Sequence, residues 1–158
     1  MLLLDGTLGA DIVPFLTQLQ EDSLACTIMM YDDWIQKHAS CGDHHHDHPD
    51  GIIYVRVSPE IAYNRIKKQA RGELSITLDN IESVYTEKEK LFIANKNSPK
   101  TLQYLPVLVL NGNIDFQTDF AQYYNHLFYI KRFINQLDEK KQIALGIYKE
   151  KVPHRHCC

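Results

Sequence analysis

The chain has 158 residues, of which 44% are hydrophobic, and its formal net charge is -3. This length and apolar fraction predict one domain with a genuine core and exclude a disordered or fibrous protein. The weakly acidic charge argues against broad electrostatic binding to nucleic acid or to an anionic membrane surface. No apolar run approaches the roughly eighteen residues of a membrane span, and the start MLLLDG lacks the length and the basic residues of a secretory signal. We therefore expect a cytoplasmic protein.

The first quarter of the chain has a helical pattern. From Asp11 to His38 apolar residues recur at three- and four-residue steps, which predicts two amphipathic helices joined around the segment EDS. The apolar positions are Ile12, Phe15, Leu16, Leu19, Leu24, Ile28, Tyr31, Trp34 and Ile35. A polar loop, HASCGDHHHDHPD, follows these helices and closes after Pro49.

Two buried strands are predicted in the rest of the chain. The segment IIYVRV, residues 52–57, is rich in β-branched residues and apolar on both faces, as in a parallel sheet covered on two sides. Ser58 then caps a helix that Pro59 starts and that runs to about Gln69. The segment PVLVL, residues 106–110, predicts a second such strand. Two strands that are each followed by a helix imply right-handed βαβ connectivity and an α/β layered fold.

Further helices are predicted from about Leu78 to Asn95 and from about Phe116 to Leu137, with one short helix in the charged tail after them. No repeat or linker separates two domains, so residues 1–158 form a single domain. Two parallel strands of this apolarity need neighbours on both edges, and no third strand of similar quality is visible. We therefore expect an incomplete domain that is part of a larger sheet.

Basic residues concentrate on the helix that follows the first predicted strand. Arg65, Lys68 and Arg71 lie three apart on one face of that helix, and Glu73 follows it. Ligands of open α/β sheets bind beyond the carboxyl ends of the strands, where this helix begins. Guanidinium groups suit phosphate oxygens because they offer fixed bidentate donors, and phosphoryl transfer needs such groups. The alternative is a solvated basic face that offsets the acidic residues between 79 and 89.

Several segments, in order and spacing, resemble the deoxynucleoside kinase family, which comprises the deoxycytidine, deoxyguanosine and deoxyadenosine kinases of the P-loop nucleotide-kinase class. These segments are MYDDW, DGIIYVRVSPEIAYNRIKKQARGE, ITLDNIESVYTEKEKLF and YLPVLVLNGNIDF. The resemblance is strongest over residues 28–137. It implies the C-terminal part of a three-layer α/β nucleoside-kinase fold, mostly helical, with two parallel core strands. It also implies ATP-dependent phosphorylation of a deoxynucleoside 5′-hydroxyl in nucleotide salvage.

The resemblance also implies roles for particular residues. The residues expected to bind nucleotide are Arg65, Arg71, Glu73, Asp115 and Phe116. The first three belong to an arginine-bearing lid over the ATP phosphates, whose two arginines are the expected catalytic residues. Asp115 and Phe116 correspond to the loop that packs around adenine. Asp5 corresponds to the aspartate of the family's D-R-Y/F motif, which contacts the deoxynucleoside base.

The sequence also departs from the family pattern. Gln69 replaces the middle arginine of the lid, and Gly6 stands where an arginine would follow Asp5. There is no G-x-x-x-x-G-K-S/T motif, whose backbone N–H groups, lysine and hydroxyl hold phosphates and Mg²⁺. The family's E-R-S segment and its E-P-W general base are absent too, and we expect all of these upstream of the first residue. ATP and Mg²⁺ are therefore expected only in a complete enzyme, and negligible kinase activity is expected of this chain.

Two alternatives to a kinase remain. A non-catalytic relative would act through interaction, by completing another chain's sheet or by forming a homodimer through helices. A metal-binding module would use the clusters DHHHDH, near Cys41, and HRHCC, which contain zinc ligand types. Consecutive histidines cannot converge on one ion without a turn, so adventitious binding is expected and no metal site is assigned. The four cysteines lack the spacing of a disulfide framework, which predicts reduced thiols.

Overall fold

The structure is a computed structural model, and it describes residues 1–7, 9–22, 24, 26–40, 48–69, 76–94, 102–115 and 118–144. The strands in these ranges are β1 (Leu2–Gly6), β2 (Ile28–Met30), β3 (Gly51–Arg56) and β4 (Val107–Asn111). The helices are α1 (Ile12–Glu21), α2 (Tyr31–Ser40), α3 (Pro59–Gln69), α4 (Leu78–Phe92) and α5 (Phe120–Ala144). None of the helices in these ranges is long and apolar enough to cross a membrane.

The four strands form one parallel sheet in the order β2-β1-β3-β4. β1 lies inside the sheet, where Leu2 is in register with Ile28 of β2 on one side and with Gly51 of β3 on the other. All five residues of β1 are buried, as expected of a parallel strand that is covered on both faces. The predicted α/β fold, mostly helical with parallel core strands, is confirmed. The predicted number of strands is wrong, because the described sheet has four strands and not two.

The two strands absent from the prediction are short. β1 begins one residue after the start of the chain, and its leucines favour a helix as much as a strand. β2 has only three residues and lies where the apolar spacing fits a helix. Ile28, predicted to be helical, instead pairs in the sheet, and the second helix begins only at Tyr31. At the other end, the predicted short tail helix is a continuation of α5, which runs to Ala144.

Apolar clusters cover both faces of the sheet. The larger cluster packs residues of α1, α3 and α5 against the face that carries Leu4 and Val55. The smaller cluster packs residues of α2 and α4 against the face that carries Leu3 and Tyr54. Successive residues of a strand point to opposite faces, so the alternation along β1 and β3 explains this division. The result is a sheet between two helical layers.

The turn between β1 and α1 is bonded to the end of β3 and packed against α3. The Thr7 hydroxyl accepts from the Val57 N–H at 2.8 Å and donates to the Val57 carbonyl at 3.2 Å. Gly9 has a φ of +73°, and a Cβ atom there would lie 2.9 Å from Cα of Ala62 in α3. Only glycine combines this backbone conformation with so close an approach. The turn is therefore held in place by its own hydroxyl and glycine.

Candidate nucleotide-binding edge

The carboxyl ends of β1, β3 and β4 meet at one edge of the sheet. From β1 the chain passes to β2 on one side, and it then crosses to β3 on the other side. This reversal makes the carboxyl end of β1 a topological switch point, which is where open α/β sheets bind ligands. The edge comprises residues 6, 7 and 9–11 of the turn after β1, the side chain of Arg65 from α3, and residues 112–115 after β4.

Arg65 bonds to two of these segments at once. Its Nη1 donates to the carbonyl oxygens of Gly9 at 3.0 Å and Gly112 at 2.7 Å. Its Nη2 donates to the carbonyl oxygens of Asn113 at 2.9 Å and Ile114 at 3.0 Å. A guanidinium has five N–H donors, and these contacts account for the four terminal ones. Arg65 thus lies at the predicted edge, but it must exchange backbone carbonyls for phosphate oxygens to bind a nucleotide, and that role stays a prediction.

The other predicted nucleotide-binding residues are only partly described. Asp115 follows directly after the carbonyl groups that Arg65 binds, and its own carbonyl accepts from the Asp119 N–H at 2.9 Å, ahead of α5. Arg71, Glu73 and Phe116 lie outside the described residues. The structure therefore brings Arg65 and the Asp115 loop together, and the predicted contacts of both with ATP remain predictions.

Asp5 is buried at the end of β1 and bonded to α4. Its Oδ2 accepts from Lys88 Nζ at 2.5 Å, and its Oδ1 accepts from the Gly6 N–H at 2.6 Å. Burial raises the pKa of Asp5 above its ordinary value, and the opposing attraction of Lys88 only partly offsets this. Lys88 Nζ also lies 5.6 Å from the ring centres of Tyr31 and Phe92. Both carboxylate oxygens are thus engaged by the protein, and the predicted contact with a deoxynucleoside stays a prediction.

Lys88 is the partner that the sequence does not assign. The available signal is its place on the apolar stripe of the predicted helix, between Tyr85 and Leu91. The ammonium group of a lysine on such a stripe either reaches solvent or pairs with a buried acid. Here it is paired, and the ion pair joins α4 to the central part of the sheet.

The β1–α1 turn follows a strand and precedes a helix, as a P-loop does, but of the P-loop motif it has only the first glycine. Counting G-x-x-x-x-G-K-S/T from Gly6 puts Asp11, Ile12 and Val13 at the second glycine, the lysine and the serine or threonine. Asp11 has φ 48° and ψ 44°, a left-handed conformation that glycine adopts most easily. Its side chain adds a carboxylate at the start of α1, where a phosphate would otherwise meet the helix terminus.

These residues do not fit a triphosphate with Mg²⁺. Ile12 supplies no cation and Val13 supplies no oxygen ligand, and the Thr7 hydroxyl is already bonded to Val57. The N–H groups of Thr7 and Ala10 donate to backbone carbonyls of the protein. The sequence predicts that the phosphate-binding segment lies upstream of this chain, and this stays a prediction.

The two clusters weighed as an alternative metal-binding module, DHHHDH and HRHCC, lie outside the described residues except for His48, which is exposed. Within the described ranges, no three or more His, Cys, Asp or Glu side chains are grouped so that they could hold a metal ion. Cys26, which lies in these ranges, is a free thiol.

Comparison with known proteins assigns a family. The family model for deoxynucleoside kinase matches residues 19–135, which is more than half of the chain. This chain belongs to the deoxynucleoside kinase family. The predicted family resemblance is thereby confirmed, and it extends further towards the amino terminus than the motifs alone indicate.

Individual relatives agree with this assignment. A probable deoxycytidine kinase of Fowlpox virus is 34% identical over 89 residues, covering 56% of this chain and 37% of the relative. Deoxycytidine kinase of Rattus norvegicus is 37% identical over 71 residues, covering 43% of this chain and 27% of the relative. The chain therefore matches well under two thirds of the length of these kinases. A solved deoxyadenosine kinase from M. mycoides has a similar fold, with a TM-score of 0.53, 16% identity, and coverage of 82% of this chain and 99% of that one.

The Asp5–Lys88 ion pair leads to a stability prediction. We expect Lys88→Met to lower the free energy of unfolding by about 3 kcal/mol at neutral pH, because it leaves a buried carboxylate without its partner. Adding Asp5→Asn to that variant should restore much of the loss. Lys90→Met, at an exposed position of the same helix, should change stability by less than about 0.5 kcal/mol. Urea denaturation measures all four proteins.

The same pair predicts a pH dependence. An acid whose pKa is raised in the folded protein contributes stability that is present at low pH and lost as the pH rises through that pKa. Removing Lys88 raises the pKa of Asp5 further, so the deficit of Lys88→Met relative to the wild type should shrink as the pH falls and Asp5 becomes protonated in both. A deficit that is constant between acidic and neutral pH would contradict the pairing.

Proposed function

We propose that the complete protein transfers the γ-phosphate of ATP to the 5′-hydroxyl of a deoxynucleoside. The family match over residues 19–135 supports this reaction, as do the relatives that are named deoxycytidine kinases. Because the chain matches only 37% and 27% of those relatives, the activity, the substrates and the use of ATP and Mg²⁺ are attributed to the complete enzyme. Nucleotide salvage in the cytoplasm is the proposed setting.

In that enzyme, this chain would contribute residues of the nucleotide-binding edge. Arg65 and Arg71 would bind phosphate, with Glu73 beside them in the lid. Asp115 and Phe116 would contact adenine. The position of Arg65 at the switch-point edge of the sheet supports the first of these roles. Charged phosphate oxygens are stronger acceptors than carbonyl oxygens, so the guanidinium gains by exchanging one set for the other. Asp5 would contact the deoxynucleoside from the same edge.

We propose further that this chain has negligible kinase activity by itself. The observation that carries this proposal is that the chain contains no G-x-x-x-x-G-K-S/T motif, and that the turn at its described switch point carries Asp11, Ile12 and Val13, which cannot hold phosphate. A carboxylate about 4 Å from a phosphate charge costs on the order of 4 kcal/mol near a protein surface, which is roughly a thousandfold in affinity. Phosphoryl transfer depends on clamps that act together, so the remaining arginines cannot compensate.

A kinase assay with a gain-of-function variant tests this proposal. The wild-type chain, incubated with γ-labelled ATP, Mg²⁺ and each of the four natural deoxynucleosides, should form no labelled monophosphate above background. The triple variant Asp11→Gly, Ile12→Lys, Val13→Thr should bind ATP at least about tenfold more tightly in calorimetry, because it removes one negative charge and adds one positive charge.

Two substitutions at exposed positions, Asp79→Gly and Ser83→Lys, make the same net charge change and form the matched control, and they should leave ATP binding unchanged. Labelled product from the wild-type chain would refute the proposed inactivity. Equal ATP affinity in the wild type and the Asp11 triple variant would show that these three residues are not what prevents phosphate binding.

The homodimer through helices is a second proposal. α5 exposes Phe120, Tyr124 and Phe128 at four-residue spacing, with 61%, 62% and 61% of each residue accessible. Residues four apart lie on one side of a helix, and contiguous exposed apolar surface marks interaction sites. A second copy of the chain would bury this stripe. Sedimentation equilibrium at micromolar concentration should therefore detect a dimer that Tyr124→Lys dissociates, and a monomer at all concentrations would exclude it.

A further inference from the structure

A polar cavity lies beside the nucleotide-binding edge. α4 contacts β1 and β3 on one face of the sheet, but β4 is partly open on that face, where Val109 is 38% exposed. Val109 and Asn111 are in register with Tyr54 and Arg56, so the four side chains share this face. The cavity has a volume of about 450 Å³ and is lined chiefly by Arg56, Ser58, Tyr85, Val109, Asn111 and Asn113. This volume is typical of small-molecule sites.

Two asparagines that line the cavity bond to the protein through their side-chain oxygens. Oδ1 of Asn113 accepts from the Ser58 N–H at 2.8 Å, and Oδ1 of Asn111 accepts from the Asn113 N–H at 3.0 Å. A backbone N–H only donates, so these bonds determine which end of each carboxamide is the oxygen. The Nδ2 groups can only donate, and neither has a partner within the described part of the chain.

Further donors line the same cavity. Arg56 uses Nε and Nη2 to bind both carboxylate oxygens of Glu89, which leaves Nη1 without a partner among the described residues. The hydroxyls of Ser58 and Tyr85 are likewise unpartnered in these ranges. α3 begins directly after Ser58, which adds the partial positive charge of a helix terminus. Several donors of the cavity are therefore uncommitted in the described ranges, although Glu89 balances the full charge of Arg56.

A donor-rich cavity of this size suits a ligand with several acceptor oxygens on one group. The balanced Arg56–Glu89 pair disfavours a polyphosphate, whose charge needs several free cations. A single phosphate needs fewer free cations than a polyphosphate. The Tyr85 ring and Val109 offer apolar surface for a flat group of the same ligand. We propose that this cavity binds a small phosphomonoester of mononucleotide size, with its phosphate on Asn111, Asn113 and Arg56. This binding goes beyond the proposed kinase reaction, in which none of these side chains has an assigned role, although the Asn113 carbonyl also accepts from Arg65 at the neighbouring edge.

Isosteric substitutions test the site without disturbing the fold. Asn111→Asp and Asn113→Asp keep the oxygen that accepts the backbone N–H and replace the Nδ2 donor with a charged acceptor. Calorimetric titration with inorganic phosphate, with deoxycytidine 5′-monophosphate and with deoxycytidine should show binding of the two phosphates and not of the unphosphorylated nucleoside. Each substitution should weaken phosphate binding by about tenfold or more. Asn135→Asp, an equal charge change at an exposed position of α5, should leave it within about twofold.

Several results would overturn the proposal. Equal binding of deoxycytidine and its monophosphate would show that the phosphate is not recognised. No phosphate binding up to about 10 mM would show that the donors do not form a site. An equal loss of phosphate affinity in Asn135→Asp would show that the added negative charge, and not the missing Nδ2 donor, weakens binding. If the aspartate variants unfold, Tyr85→Phe removes only a hydroxyl and should still weaken binding. None of these results depends on kinase turnover, so failure here leaves the proposed function unaffected.

Discussion

The candidate site depends on one guanidinium group. Arg65 reaches from α3 to the turn before α1 and to the loop after β4, and its four terminal N–H groups each meet a backbone carbonyl. A planar guanidinium can serve several carbonyls in fixed directions, which the three donors of a lysine cannot reproduce. These bonds hold together the turn before α1 and the loop after β4, whose strands β1 and β4 do not pair with each other. The geometry of the switch-point edge therefore depends on the residue that family resemblance assigns to phosphate.

Other polar groups along this edge are likewise bonded to groups of the protein. The Asp5 carboxylate is neutralised by Lys88, and the Thr7 hydroxyl is bonded to the end of β3. The left-handed position at the start of α1 carries the Asp11 side chain. Each contact is a sound solution for stability, because buried polar groups find partners. Each also engages a group at the edge where nucleotide binding is proposed, so this edge of the deoxynucleoside kinase fold is stabilised by contacts within the protein.

How far the sequence predicts the fold depends on the length of each element. The strand after residue 50, the α3 start at Pro59 and the α4 start at Leu78 agree with their predictions, because β-branched runs, a Ser-Pro-Glu turn and a long apolar stripe are strong local signals. β1 and β2 were not predicted, because strands of five and three residues carry little periodicity. Their structure is decided by pairing with strands that are distant in the sequence.

The site was predictable in place but not in detail. The turn after the first predicted strand and the bases of the following helix locate the edge, and Arg65 lies there. Its carbonyl partners are 47 to 56 residues away, and Asp5 and Lys88 are 83 residues apart, so no local pattern reports them. The turn between β1 and α1 gives no sequence signal of a site, because only Gly6 of the P-loop motif is present there.

One pair of variants tests whether the contacts of Arg65 with backbone carbonyls stabilise the protein. Arg65→Met should lower the free energy of unfolding in urea by about 2–4 kcal/mol, because four carbonyl groups lose a charged donor. Lys68→Met, on an exposed position of the same helix, should change it by less than about 0.5 kcal/mol. An Arg65→Met protein as stable as the Lys68→Met control would contradict the account, because the four contacts of Arg65 with backbone carbonyls would then contribute nothing to stability.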